Sequence, residues 1–103
     1  MIPENKVIAA ADWLLPRYIL YGGLPYQQNC RYLMGGSVRI SYDNGYLNER
    51  NRVVLDEIWS DPFDCIKVVY HRLHNTIDWK EIQKEEFDCY TRPFIKNADL
   101  VEK

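Results

Sequence analysis

Hydrophobic and polar positions follow a helical period on both sides of the segment Ser60-Asp61-Pro62. After this segment, the apolar positions that recur every three or four residues are Phe63, Ile66, Val69, Tyr70 and Leu73. Asp61 is a favoured N-cap residue and Pro62 suits the first helical position, so the pattern predicts a helix that begins at Pro62. The β-branched residues within 65–71 leave a strand as the alternative for that stretch.

The stretch before this segment shows a weaker form of the same period. Its apolar residues form two pairs at a spacing of four, Val54 with Ile58 and Leu55 with Trp59. That spacing predicts a helix over Glu49–Trp59, capped by Asn48. The chain is therefore expected to place two helices at a corner next to Pro62.

Three further segments have the starting residues and the spacing of short helices. They are Glu4–Leu15, Pro25–Met34 closed by Gly35, and Asp78–Tyr90 capped by Thr76. The segment Arg17–Tyr21 fits either a strand, by its β-rich composition, or a helix that ends at Gly22.

One stretch alternates with the period of a strand. Val38, Ile40 and Tyr42 alternate with polar residues, and Asn44-Gly45 follows as a strong hairpin signal. Taken together, the patterns predict an α+β fold for 1–103 as one small domain. It is expected to be predominantly helical, with about four to five short helices and one β-hairpin near Asn44-Gly45. The tail 97–103 is expected to be frayed.

Charge and composition narrow the classes of function. Thirteen basic and fifteen acidic side chains give a net charge of −2 and a pI near 5.6, which disfavours electrostatically driven nucleic-acid binding. No apolar run reaches the ~20 residues that span a bilayer. Three cysteines without a spaced framework suggest free thiols in a reducing cytoplasm. We therefore expect a cytoplasmic protein with no membrane association.

The candidate chemistry is sparse. His71 and His74 could share a metal ion or assist a cysteine, but a zinc site usually has two ligand pairs, and the chain has one. We expect no cofactor, no metal and no catalysis. An enzyme that uses these histidines, metal-dependent or cysteine-based, stays an alternative.

Arginine and tyrosine residues interleave in the first half of the chain, a composition that is enriched at protein interfaces. The candidate partner-binding residues are Arg17, Tyr18, Tyr21, Tyr26, Arg31, Tyr32, Arg39, Tyr42 and Tyr46, together with the acidic Glu81, Glu85 and Glu86 of the last helix. These residues predict a small non-enzymatic protein-binding module: a regulator, inhibitor or adaptor of a larger protein. Homo-oligomerisation is a variant of this hypothesis. The alternative is a nucleic-acid-binding regulator that uses Arg17, Arg31, Arg39, Arg50 and Arg52.

Overall fold

A five-stranded antiparallel sheet and three helices make up the part of the chain that the computed structural model describes, residues 3–44, 52–76 and 78–92. The elements in chain order are α1 (Glu4–Leu14), β1 (Tyr18–Tyr21), β2 (Leu24–Tyr32), β3 (Val38–Asp43), β4 (Val53–Trp59), α2 (Pro62–Asn75), β5 (Trp79–Ile82) and α3 (84–92). The fold is α+β, but the prediction of a predominantly helical domain with four to five helices is wrong. Of the five segments that were expected to be helical, two contain strands instead of helices and a third begins with a strand.

The strands β1 to β4 form an antiparallel meander, and β5 returns to the far side of β1, so the sheet order is β4-β3-β2-β1-β5. The turn between β1 and β2 consists of Gly22 and Gly23 alone. Both have positive φ, at 58° and 82°, as a type I′ turn requires. A second glycine pair lies between β2 and β3. Both glycine pairs therefore end strands of a meander rather than helices.

The two helices with the clearest starting signals are confirmed. Asp61 is the N-cap of α2, and its Oδ1 accepts hydrogen bonds from the N–H groups of Phe63 and Asp64 at 2.9 and 3.1 Å. Residues 65–71 are therefore helical. α1 begins after Pro3 and ends before Pro16, whose ring cannot continue a helix.

The predicted helix Pro25–Met34 is wrong, because this segment is the strand β2. Pro25 lies opposite Leu20 of β1, at the end of β2 that β3 does not reach. A missing N–H is tolerated there, where the strand has one described neighbour instead of two. Proline is common in the first turn of a helix and is also tolerated near the start of a strand, and Pro25 occupies the second kind of position.

The predicted helix Glu49–Trp59 is also wrong for its described part, since Val53–Trp59 forms β4 against β3. The register is broken by an irregularity between Tyr42 and Asp43, and Leu55 lies opposite Tyr42. The antiparallel pair of β3 and β4 lies where a hairpin was predicted, but its returning strand comes from the segment that was predicted to be helical. Its connection, including Gly45 and Tyr46, lies outside the described residues.

The last predicted helix is wrong at its start. Trp79–Ile82 is the strand β5, and helix begins at residue 84. Thr76 does not cap it but ends α2, where its Oγ1 donates to the carbonyl of Arg72 at 2.7 Å. Arg17–Tyr21, left open from the sequence, contains the strand β1. The tail 97–103 lies outside the described residues.

The core fills the space between one face of the sheet, called the inner face, and the helices α1 and α2. Its members are Val7, Ala11, Leu15, Ile19, Tyr26, Val38, Ile40, Tyr42, Leu55, Cys65, Ile66, Val69 and Leu73. A polar contact joins α1 to this face. The Tyr42 hydroxyl donates to the carbonyl of Pro16 at 2.5 Å, and the buried Gln28 amide lies 3.4 Å from the same oxygen. These side chains satisfy backbone carbonyls just where α1 ends.

Candidate protein-binding surfaces

The tyrosines that were predicted to bind a partner are divided between core and surface. Tyr26 and Tyr42 are buried in the core, so neither side chain is exposed to a partner in this structure. The half-buried tyrosines are Tyr18, Tyr21 and Tyr32. Tyr18 packs on Phe87 of α3 with 4.6 Å between ring centroids, and Tyr21 packs edge-on against Tyr26. Tyr46 lies outside the described residues.

The predicted arginines do not form one cationic surface. Arg17 pairs with Asp12 at 2.6 Å, and Arg39 pairs with Asp56 through two hydrogen bonds of 2.9 and 2.8 Å. Arg31 is exposed and makes no ion pair with a described residue. Charges that are already neutralised offer little to a phosphate backbone. Two of the arginines named for the nucleic-acid alternative therefore already have a carboxylate partner.

The predicted acidic residues are exposed, but they lie on two elements. Glu81 is in β5, whereas Glu85 and Glu86 are in α3, beside a shallow depression that also includes Cys89 and Tyr90. Phe87 and Thr91 are the residues of α3 that face the domain. The described acidic side chains of α3 therefore point to solvent.

The histidines and cysteines are not assembled into a reactive centre in the described part of the chain. His74 stacks on Tyr70 with 4.1 Å between centroids, and its Nδ1 lies 2.9 Å from the carbonyl of Tyr70. No group of three or more potential metal ligands occurs among the described residues. Burial raises the pKa of the Cys65 thiol to about 11, which keeps it protonated near neutral pH.

An apolar groove lies between the end of α1 and the first half of α2. It has a volume of about 350 Å³, and its lining consists of Leu14, Phe63, Ile66, Lys67 and Tyr70. Three of these side chains are large, apolar and substantially exposed: Leu14 at 43%, Phe63 at 47% and Tyr70 at 42%. Trp13, the neighbour of Leu14 in α1, is 84% exposed. Exposed apolar surface of this kind is a candidate interaction site.

Among the groove residues, Leu14 belongs to the apolar positions of the first predicted helix. Phe63 and Tyr70 belong to the apolar period of α2, but Cys65 and Ile66 occupy the face that meets the sheet, so the two aromatic rings lie toward its margin. Trp13 falls outside the apolar period of α1, and this was the available signal. A tryptophan that lies outside the core-facing positions of its helix suggests a contact surface.

A second concave surface lies on the opposite face of the sheet, called here the outer face. Strand register places three cross-strand pairs on it: Gln27 with Asp43, Asn29 with Ser41 and Arg31 with Arg39. Together with Val53 they line a polar trough of about 330 Å³. The Asn29 amide donates to the Asp43 carboxylate at 2.8 Å. The structure thus brings Arg31 and Arg39 together, as two of the twelve predicted binding residues.

Of the helices in the described part of the chain, none has the length and apolar character that crossing a bilayer requires. The chain matches no protein-family model, no curated protein and no solved structure.

Proposed function

We propose that this protein is a small non-enzymatic binding module that attaches to a larger protein through the groove between α1 and α2. The observation that carries the proposal is the exposure of Leu14, Phe63 and Tyr70 around one concave apolar site. Tryptophan and tyrosine are enriched among the residues that dominate binding energies at protein interfaces. Three free thiols suit a reducing compartment, so the proposed location is the cytoplasm.

The groove favours a partner with a definite chemistry. Lys67 is the charged residue among the described lining residues, and the other four offer apolar surface. A matching ligand is an apolar side chain of the partner with a carboxylate close to it. The apolar face of an amphipathic helix presents side chains in this way, at the spacing of helical turns.

The exposed part of Phe63 gives the scale of the effect. About half of a large aromatic surface, roughly 100 Å², remains open to a partner. Burying that area is worth about 2.5 kcal/mol at ~25 cal/mol per Å². Part of this gain is lost to the cost of association, so we expect removal of the ring to weaken binding at least about tenfold.

The test is quantitative capture of partners from the native cell extract, with the full chain as bait and mass spectrometry as the readout. Phe63→Glu is the informative variant. A carboxylate near the N-terminus of α2 favours the helix through its dipole, while it charges the apolar groove. Met34→Ala is the matched control, because it removes a fully exposed apolar side chain from the turn after β2.

The proposal predicts a stoichiometric protein that wild type and Met34→Ala retain and that Phe63→Glu loses. Thermal melts of the three proteins show whether each is folded. Equal capture by folded Phe63→Glu would refute the groove as the binding site. Turnover of a small molecule by the purified chain, without a retained macromolecule, would refute the proposal that the protein is a non-enzymatic binding module.

A further inference from the structure

We propose that the polar trough on the outer face binds a ligand through a single carboxylate, held between Arg31 and Arg39. The trough lies on the other side of the sheet from the groove, so this inference does not rest on the proposed function. Cross-strand partners on one face have Cβ atoms about 5 Å apart, and like charges directly opposite each other are unfavourable. Arg31 and Arg39 are such partners.

The two guanidinium groups differ in what they already bind. Arg39 donates through Nε and Nη2 to both oxygens of Asp56, which fixes its plane and neutralises its charge. Arg31 is exposed and forms no ion pair with a described residue. Among the described strands, β3 is the neighbour of β2 at Arg31, because β1 pairs with the other end of β2. Arg31 therefore has a described strand on one side. It thus supplies a positive charge that no carboxylate of the described residues neutralises, beside a preoriented neighbour.

A single carboxylate can neutralise the charge of Arg31. The planar set of N–H donors of the guanidinium group matches the two oxygens of that carboxylate. The rest of the trough selects what the carboxylate is attached to. Asn29 and Ser41 form the next rung and offer hydrogen-bonding groups, while Gln27 and Asp43 form the third. The first and third rungs are about 13 Å apart, at ~3.3 Å per residue. A ligand that spans them and carries a second negative charge would meet the Asp43 carboxylate.

The ligand class is therefore a monocarboxylate whose remaining part is polar and carries no further negative charge. A volume of about 330 Å³ is at the small end of ligand pockets. Such a group is present at the C-terminus of a peptide and in small carboxylic acids. These two sources share the chemistry, and the experiment separates them.

The test is a titration of the full chain, followed by isothermal calorimetry and by NMR of the arginine side-chain N–H groups. The probes are N-acetylated glycyl-seryl-glycine as the free acid, the same tripeptide as its C-terminal amide, acetate, and inorganic phosphate. We expect the free acid to bind at least tenfold more tightly than the amide, and more tightly than phosphate. Acetate as strong as the free acid assigns the site to small carboxylates, and weaker acetate assigns it to peptide ends.

Three variants complete the test. Arg31→Gln should reduce free-acid binding at least tenfold, and Arg31→Lys should restore only part of it, because the charge returns without the planar set of N–H donors. Lys6→Gln is the control, since it removes the same charge from the exposed side of α1. Equal affinity for acid and amide, unchanged binding in folded Arg31→Gln, or no binding at millimolar free acid would each overturn the proposal.

Discussion

Replacing Tyr42 with Phe tests whether this residue serves the core or an interface. Its ring is fully buried, and its hydroxyl donates to the Pro16 carbonyl at 2.5 Å. The variant loses this hydrogen bond and leaves the carbonyl with the longer contact to Gln28 at 3.4 Å. We expect the free energy of unfolding at neutral pH to fall by about 1–2 kcal/mol.

The same substitution has a characteristic pH dependence. Burial raises the pKa of the Tyr42 hydroxyl far above its ordinary value near 10. The native state therefore keeps a proton that the unfolded state releases above pH 10, so wild-type stability falls as the pH rises. At pH 11 this costs the wild type about 1.4 kcal/mol, which the variant does not lose. The difference between the two proteins should shrink toward zero.

The assay is urea unfolding followed by tryptophan fluorescence between pH 7 and 11. Tyr70→Phe is the control, because its ring is 42% exposed and should show neither effect. Only differences between variants are interpreted, since other tyrosines and thiols ionise in the same range. A Tyr42→Phe protein as stable as the wild type at pH 7, with a difference that stays constant up to pH 11, would refute the reasoning.

Two further predictions concern α2 and β4. Asp61→Ala removes two hydrogen bonds from the start of α2 and should lower the free energy of unfolding by about 1 kcal/mol, as measured by urea unfolding. Asp61→Asn keeps an oxygen that can accept these hydrogen bonds and should recover most of the loss. No recovery in Asp61→Asn would show that the stabilisation comes from the carboxylate charge and not from the hydrogen bonds. β4 is an edge of the described sheet and exposes Val53, Ile58 and Trp59, so a second copy can pair with it. We expect self-association at millimolar concentration in sedimentation velocity, lost in Ile58→Lys with an unchanged melting temperature; a monomeric wild type would contradict this.

The helices with local starting signals could be predicted, because the interactions that form them lie within a few residues. Pro3 and Pro16 delimit α1, and Asp61 with Pro62 starts α2. Such signals act through neighbouring backbone N–H groups and proline sterics, which do not depend on the rest of the fold. The sequence is sufficient wherever the decisive contact is local.

The strands could not be predicted equally well, since a spacing of four residues fits both periods. Val54 and Ile58 share a helix face at one turn, and they also share a strand face because four is an even number. β2 hides its alternation in another way. Its inner face includes Gln28, whose role is to meet carbonyls at the end of α1, a contact 12 to 17 residues away in the chain. In both segments, pairing with strands that are distant in the chain determined the secondary structure.

The candidate site likewise combines residue types that the sequence predicts with an arrangement that depends on long-range contacts. Composition pointed to arginine and tyrosine, but it does not distinguish the two buried core tyrosines from the half-buried ones. Arg31 and Arg39 were expected at a surface, yet their pairing across β2 and β3 depends on a register that only the sheet defines. Trp13 and Phe63 lie in helices that were predicted correctly, but the exposure of their side chains depends on how these helices pack against the sheet.

The two proposed sites can act independently because they are on opposite sides of one sheet. Phe63 is in a helix that packs on the inner face, whereas Arg31 points away from the outer face. A helix layer on a sheet separates them by about 10 Å, beyond which substitutions usually add without coupling. Phe63→Glu is therefore a control for carboxylate binding, and Arg31→Gln is a control for partner capture. If each variant abolished both activities, the two sites would be coupled through the sheet, and their independent action would be refuted.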